Sequence, residues 1–114
     1  MTTALTELLD TKEEAKIKDL IYEFRGKQVM LDSDIAKLFE VEVKSLNQQM
    51  KRNVERFPED FCFKLNSEEL QTQRSQNVTF RQSTKNRKYA PYVYTEHGII
   101  AINIFLNLEE IHYE

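Results

Sequence analysis

The stretch Asp32-Ser33-Asp34-Ile35-Ala36-Lys37-Leu38-Phe39-Glu40-Val41-Glu42-Val43-Lys44-Ser45-Leu46-Asn47-Gln48-Gln49-Met50-Lys51-Arg52-Asn53-Val54-Glu55-Arg56 decides how this chain is read. Asp32, Ser33 and Asp34 offer N-cap side chains, and Ile35, Ala36, Leu38 and Phe39 follow at positions that share one helical face. Glu40-Val41-Glu42 makes a connection, after which Val43, Leu46, Met50 and Val54 repeat at helical spacing. Two short helices joined by three or four residues predict a helix-turn-helix layout. Small Ala36 lets the second helix approach closely, and Val41 plugs the corner between them.

At about 100° per residue, the apolar stripe of the second helix runs through Val43, Leu46, Met50, Val54 and Phe57. The opposite face holds Lys44, Ser45, Gln48, Arg52, Glu55 and Arg56. Ser45, Gln48 and Arg52 can donate to or accept from base edges, while Lys44, Lys51, Arg52 and Arg56 can neutralise phosphates. One face therefore supplies both kinds of DNA contact. Glu55 is the discordant charge, and an i,i+3 pairing with Arg52 would use it to orient the guanidinium. Asn47 and Asn53 lie at the stripe's edges and are expected to hydrogen-bond inside the fold.

Outward from this core, residues 1–20 read as a helix of good helix formers, with Leu5, Leu8 and Leu9 as its apolar side. Ile21 to Phe24 and Val29 to Leu31 flank a glycine-containing turn and predict a hairpin. Phe57-Pro58 stops the second helix near Arg56. Phe61, Phe63 and Leu65 alternate as in a strand, and Ser67 with Glu68 and Glu69 opens a short helix. Residues 71–90 are polar, basic and almost free of aliphatics, the composition of a loop or a long hairpin. Within it Arg81, Lys85, Arg87 and Lys88 lack an apolar anchor, so they read as a wing that follows a phosphate strand and whose removal would leave the fold intact. Pro91 to Tyr94 reads as a strand; Thr95 caps the next segment, apolar from Ile99 to Leu106, which fits a buried helix and leaves a strand open. The order β-β-α-α-β-α-β-α implies an α+β fold: a helix-turn-helix core with a short β-hairpin and a basic wing-like loop or hairpin.

Bulk properties narrow the function classes. The chain has 114 residues, enough for one core and too few for two ordinary domains. Its net charge is −3, yet residues 44–88 carry ten Lys or Arg against five acids, so the centre is basic and the ends acidic. A basic centre suits one phosphate-facing surface. Cys62 is the only cysteine, which rules out an internal disulfide and a multi-cysteine zinc site and makes it a small buried hydrophobe. No apolar run approaches the roughly 20 residues needed to cross a bilayer, and Met1 to Leu5 opens no export signal. A cytoplasmic location is expected. His97, His112, Glu96 and Asp60 are the residues a nuclease could use, but they stand in no ligand or triad spacing, so neither catalysis nor a cofactor, metal or small-molecule substrate is expected. The expected partner is double-stranded DNA, bound by a homodimer paired through the N-terminal helix. A protein-interaction module using the acidic N-terminal helix and residues 99–106 is the alternative.

Four strings carry a family resemblance: Met30-Leu31-Asp32-Ser33-Asp34-Ile35-Ala36-Lys37-Leu38-Phe39, then Leu46-Asn47, then Lys51-Arg52-Asn53-Val54-Glu55-Arg56-Phe57-Pro58-Glu59-Asp60-Phe61, then Tyr94-Thr95-Glu96-His97-Gly98. Together they closely resemble the phage-associated KilA-N/ORF6N DNA-binding domains over about residues 21–106. The resemblance implies DNA binding in prophage or mobile-element regulation, often as the N-terminal module of an antirepressor-like protein, and implies no catalysis. It divides the chain into an N-terminal helix (1–20), the domain (21–106) and a tail (107–114). Glu40 stands where such turns favour glycine, so a left-handed backbone there would carry strain of about 1 kcal/mol. Beyond Leu106 only eight residues follow, where the family usually continues into another helix and a variable C-terminal domain, so this copy reads as a truncated or degenerate module.

Overall fold

A computed structural model describes residues 17–112. The N-terminal helix expected over residues 1–20 lies almost wholly outside that range; Ile17 and Lys18 are helical, and Ile17 is fully buried.

Strands β1 (Tyr22–Phe24) and β2 (Lys27–Leu31) form the expected hairpin. Arg25 and Gly26 join them at φ 54° and 74°. Positive φ at both central residues marks the type I′ turn, whose twist matches that of the flanking strands. Helices α1 (Asp32–Leu38) and α2 (Val43–Arg52) follow, and a short 3-10 turn, Val54–Arg56, continues from α2. Then come β3 (Cys62–Lys64), α3 (Ser67–Gln76), α4 (Val78–Thr84), β4 (Tyr92–Tyr94) and α5 (Glu96–His112).

The four strands pair antiparallel in the order β1-β2-β4-β3. Register sorts the core. Met30, Tyr94 and Cys62 stand in one row across the sheet, with Leu31, Val93 and Phe63 in the next. Because side chains alternate faces, the first row meets Ile35, Ala36, Leu46, Met50, Ile99 and Ile102 from α1, α2 and α5. The second row, with Tyr22, Phe24 and Val29, meets Phe80 of α4 and Leu70 of α3. The domain is thus α+β with helices on both faces of one sheet, and the apolar segment after Thr95 is a helix.

Residues 71–90 depart from the loop or hairpin expected of them. Helix α3 runs to Gln76, α4 occupies Val78–Thr84, and only residues 85–91 form a connection. Both helices start on asparagine. Asn66 and Glu69 make a reciprocal capping box, and Asn77 accepts from the Phe80 N–H at 2.9 Å. Arg74 of α3 donates through Nε to Thr84 Oγ1 at 2.9 Å, tying the two helices together. A single anchor, the fully buried Phe80, holds α4 to the sheet. Helix α3 has one apolar residue, Leu70, and α4 has two, of which only Phe80 is buried while Val78 is exposed, so neither helix carries a period to detect.

Candidate nucleic-acid interface

The corner between α1 and α2 closes through backbone hydrogen bonds. Glu40 sits at φ 57°, its N–H donates to Lys37 O at 3.2 Å, and the Val41 N–H donates to Ala36 O at 2.9 Å. These are the two bonds of a Schellman motif, with the left-handed residue just past the helix end. Val41 packs into the same cluster as Ala36, as expected of a plug.

Leu46 and Met50 are buried along the inner face of α2, while Lys44, Ser45, Gln48, Lys51 and Arg52 are exposed along the outer one. Arg56 is exposed on the 3-10 turn beyond. Val54 does not continue the apolar stripe and is 61% exposed. The α-helix ends at Arg52, and the tighter winding of the following turn changes the angular position of each residue. Phe57 still reaches the core, edge-on to Tyr94 at 6.3 Å between centroids.

The three Asx and Ser side chains at the start of α1 do not cap it; Leu31 is the N-cap residue, and no side chain caps the helix. Asp32 has another task. Its carboxylate is fully buried and accepts five donors. Oδ1 accepts from the Ser33 N–H at 2.7 Å and Arg87 Nη1 at 2.8 Å. Oδ2 accepts from Asn47 Nδ2 at 2.8 Å, Arg87 Nη2 at 3.0 Å and the Tyr92 N–H at 3.3 Å. Asn47 in turn accepts from the Tyr94 hydroxyl at 2.9 Å. Asn47 is therefore an internal residue of α2, and Asn53 likewise donates to Gln49 O at 2.9 Å. Burial raises the Tyr94 hydroxyl pKa well above the usual range, which keeps the group a donor.

This network changes the reading of the basic segment. Arg87 is not an unanchored cation; it makes a two-pronged ion pair with a buried carboxylate. Arg81 belongs to α4, in the helical layer across the sheet from α2, and its Nη1 donates to Arg74 O at 2.9 Å. Lys85 and Lys88 are exposed on the connection that Arg87 holds beside α2. A contiguous wing from Arg81 to Lys88 is thus replaced by a short pinned loop, and the structure brings the loop, not Arg81, to α2. Sequence reading missed Asp32 because its partner is 55 positions away. It also missed Tyr89, 69% exposed in that loop, although an aromatic directly after Arg87 and Lys88 in a polar tract was the available signal.

The strings Arg-Phe-Pro-Glu-Asp-Phe and Thr-Glu-His-Gly meet in space. The Thr95 N–H donates to Phe61 O at 2.9 Å, its hydroxyl donates to Asp60 O at 2.7 Å, and it accepts from the Gly98 N–H at 3.4 Å. A Cβ on Gly98 would lie 2.0 Å from Phe61 O, so only glycine fits. The His97 ring stacks on Phe61 at 5.5 Å. Asp60 pairs with Lys27 at 2.6 Å, and that hydrogen bond holds its carboxyl below the usual range. Cys62 is buried, and burial pushes its thiol up to about 12. These residues form a joint between β3 and the start of α5.

Two further groups are buried with atoms that lack a hydrogen-bond partner among the described residues, Tyr22 Oη and Asp34 Oδ2. Burial raises the Asp34 carboxyl to about 6, against the opposing pull of Lys37. Among the described residues no helix is long and apolar enough to cross a membrane, and no group of three or more His, Cys, Asp or Glu could hold a metal ion.

The fold and this surface define a small α+β domain that presents a basic helix from a two-helix corner, with a pinned basic loop beside it. The ORF6N domain profile matches residues 19–103, and the chain belongs to this phage-associated domain family. No curated protein and no solved structure matches it.

Proposed function

We propose that this ORF6N domain is the sequence-specific DNA-binding module of a prophage or mobile-element regulator of antirepressor type, with α2 entering the major groove. One observation carries the reading. Helix α2 has three cations and no acid among its ten residues, and it exposes Lys44, Ser45, Gln48, Lys51 and Arg52 opposite a buried Leu46 and Met50. Gln48, Ser45 and Arg52 would meet base edges, and Lys44, Lys51 and Arg56 phosphates. The reading involves no catalytic step and no cofactor, and it puts the protein in the cytoplasm with its DNA.

Selection of bound fragments from random duplex DNA tests it. The wild-type chain should enrich a motif, and Gln48→Ala should relax one or two base positions by about 1–3 kcal/mol each. Identical motifs for both proteins would move the reading role to another element, and failure of the wild type to enrich any motif would end the proposal. A palindromic motif would report a homodimer. Deleting residues 1–16 would then weaken a two-site duplex more than a half-site; the deletion stops there because Ile17 is in the core.

A protein-interaction module is the second reading. Ile100 and Ile104, one turn apart on α5, are 36% and 52% exposed, which favours a protein contact on that side. Salt separates the two, since a surface using several cations on phosphates loses affinity steeply with added salt and an apolar contact does not.

A further inference from the structure

Arg87 and the two residues after it divide one task. The Arg87 guanidinium faces inward onto buried Asp32, and its N–H donates to Thr84 O at 3.1 Å. Pro91 is buried, and its carbonyl accepts from the Leu65 N–H at 3.1 Å. The loop is thus fixed at both ends, and Lys88 and Tyr89 between these points are exposed. Tyr89 keeps 69% of its surface in water, with the Lys88 ammonium 5.7 Å from the ring centroid. Folding gives no reason for an aromatic ring there.

The loop's position relative to α2 is equally defined. Asp32 binds Arg87 and Asn47 at once, and Asn47 is next to Gln48 and one turn from both Lys44 and Lys51. Lys51 in turn lies over the Tyr92 ring, 5.5 Å from its centroid, at the point where the loop enters β4. The chain Arg87–Asp32–Asn47–Tyr94 couples loop, α1, α2 and sheet through side chains alone.

We infer that Lys88 and Tyr89 are a second DNA contact, gripping the sugar–phosphate strand beside the groove that α2 enters, and that Arg87 is a positioning residue that holds them there. This rests on the DNA-binding reading of α2. The chemistry is that of a cation for a phosphate and a flat ring for a sugar or base face. Arg87 itself has its donors turned to Asp32 and away from phosphate.

The test is equilibrium binding of the full chain to its selected duplex and to a random duplex, over a range of salt concentrations. The variants are Lys88→Ala, Tyr89→Ala, Arg87→Lys and the Arg87→Lys/Lys88→Ala double, each measured below its melting transition. Lys88→Ala and Tyr89→Ala should each weaken both duplexes by about ten-fold, and Lys88→Ala should flatten the log-affinity against log-salt slope by about one unit. Lysine keeps the charge of Arg87 but not its two-pronged grip. As a positioning residue, Arg87→Lys should flatten the slope as Lys88→Ala does, and the double variant should be no weaker than the weaker single one. If Arg87 instead touches phosphate, Arg87→Lys keeps the wild-type slope and its loss adds to that of Lys88→Ala, which overturns the assignment. Wild-type affinity in Lys88→Ala and Tyr89→Ala, with Gln48→Ala still changing the motif, overturns the second contact and leaves the reading of α2 standing. No binding of any duplex by the wild type overturns both.

Discussion

Two helical pairs cover the two faces of one sheet, and they are held by different physics. The α1–α2 pair buries Ile35, Ala36, Leu46 and Met50 along periodic stripes and closes through a Schellman turn. The α3–α4 pair has no buried residue in α3 and only Phe80 and Thr84 buried in α4. It relies on two asparagine caps, on Arg74 bridging to Thr84, and on Arg25 reaching from the hairpin turn to Glu69 at 2.8 Å. That last pair also holds the Glu69 carboxyl below its usual range. A helix can thus be specified either by an apolar period or by polar bonds at its ends and one anchor. The first kind is visible along the sequence; the second is much less so.

The sharpest way to break this comparison is to remove each pair's anchor. Phe80→Ala should cost about 3–5 kcal/mol and Leu46→Ala about 2–5 kcal/mol, read from urea unfolding. A loss below about 1 kcal/mol for Phe80→Ala would make α3–α4 an appendage rather than a second half of the core. Next in size is Arg87→Ala, which leaves a buried carboxylate without its charged partner. Breaking such a pair costs about 3–5 kcal/mol, and the Asn47 and backbone donors that remain on Asp32 should hold the loss toward the lower end. Lys88→Ala, one residue on, should stay within about 0.5 kcal/mol of wild type. Equal effects at the two positions would remove the distinction between pin and contact.

The third test uses pH. The Asp34 carboxyl is raised from 3.8 to about 6 by burial, so between those values the folded chain keeps a proton that the unfolded chain has released. Stability from this group is therefore greatest below about pH 4 and falls as pH rises through 6. Asp34→Asn should leave stability unchanged near pH 4 and raise it by roughly 1–3 kcal/mol at pH 7.5. A variant less stable than wild type at pH 7.5 would show that the ionised carboxylate has a favourable partner. Smallest are the two chain turns. Asn77→Ala should cost about 1 kcal/mol through its lost cap, whereas Glu40→Gly should gain about 1 kcal/mol by relieving the left-handed strain. Opposite signs in thermal melts would confirm that one helix pair depends on caps and the other tolerates a poor one.

Much of the α1–α2 half could be read directly. Helical spacing located Leu46 and Met50 in the core and Lys44, Gln48 and Arg52 outside, and the corner anticipated both Val41 and the left-handed Glu40. Alternation located β3, and a proline marked where the helical stretch after α2 stops. These are local properties, set by residues within one or two turns of each other, so the order of residue types along the chain was enough to determine them. Only the tertiary structure decided that Arg87 faces inward while Lys88 and Tyr89 face water, that Arg81 lies across the sheet from α2, and that Gly98 must be glycine because Phe61 O lies against it. Each depends on a partner tens of residues away, and a cation reads the same in sequence whether its partner is solvent or a buried carboxylate. Charge pattern tells where cations are; burial and hydrogen bonding, which arise only when distant segments pack, tell which of them are free to bind.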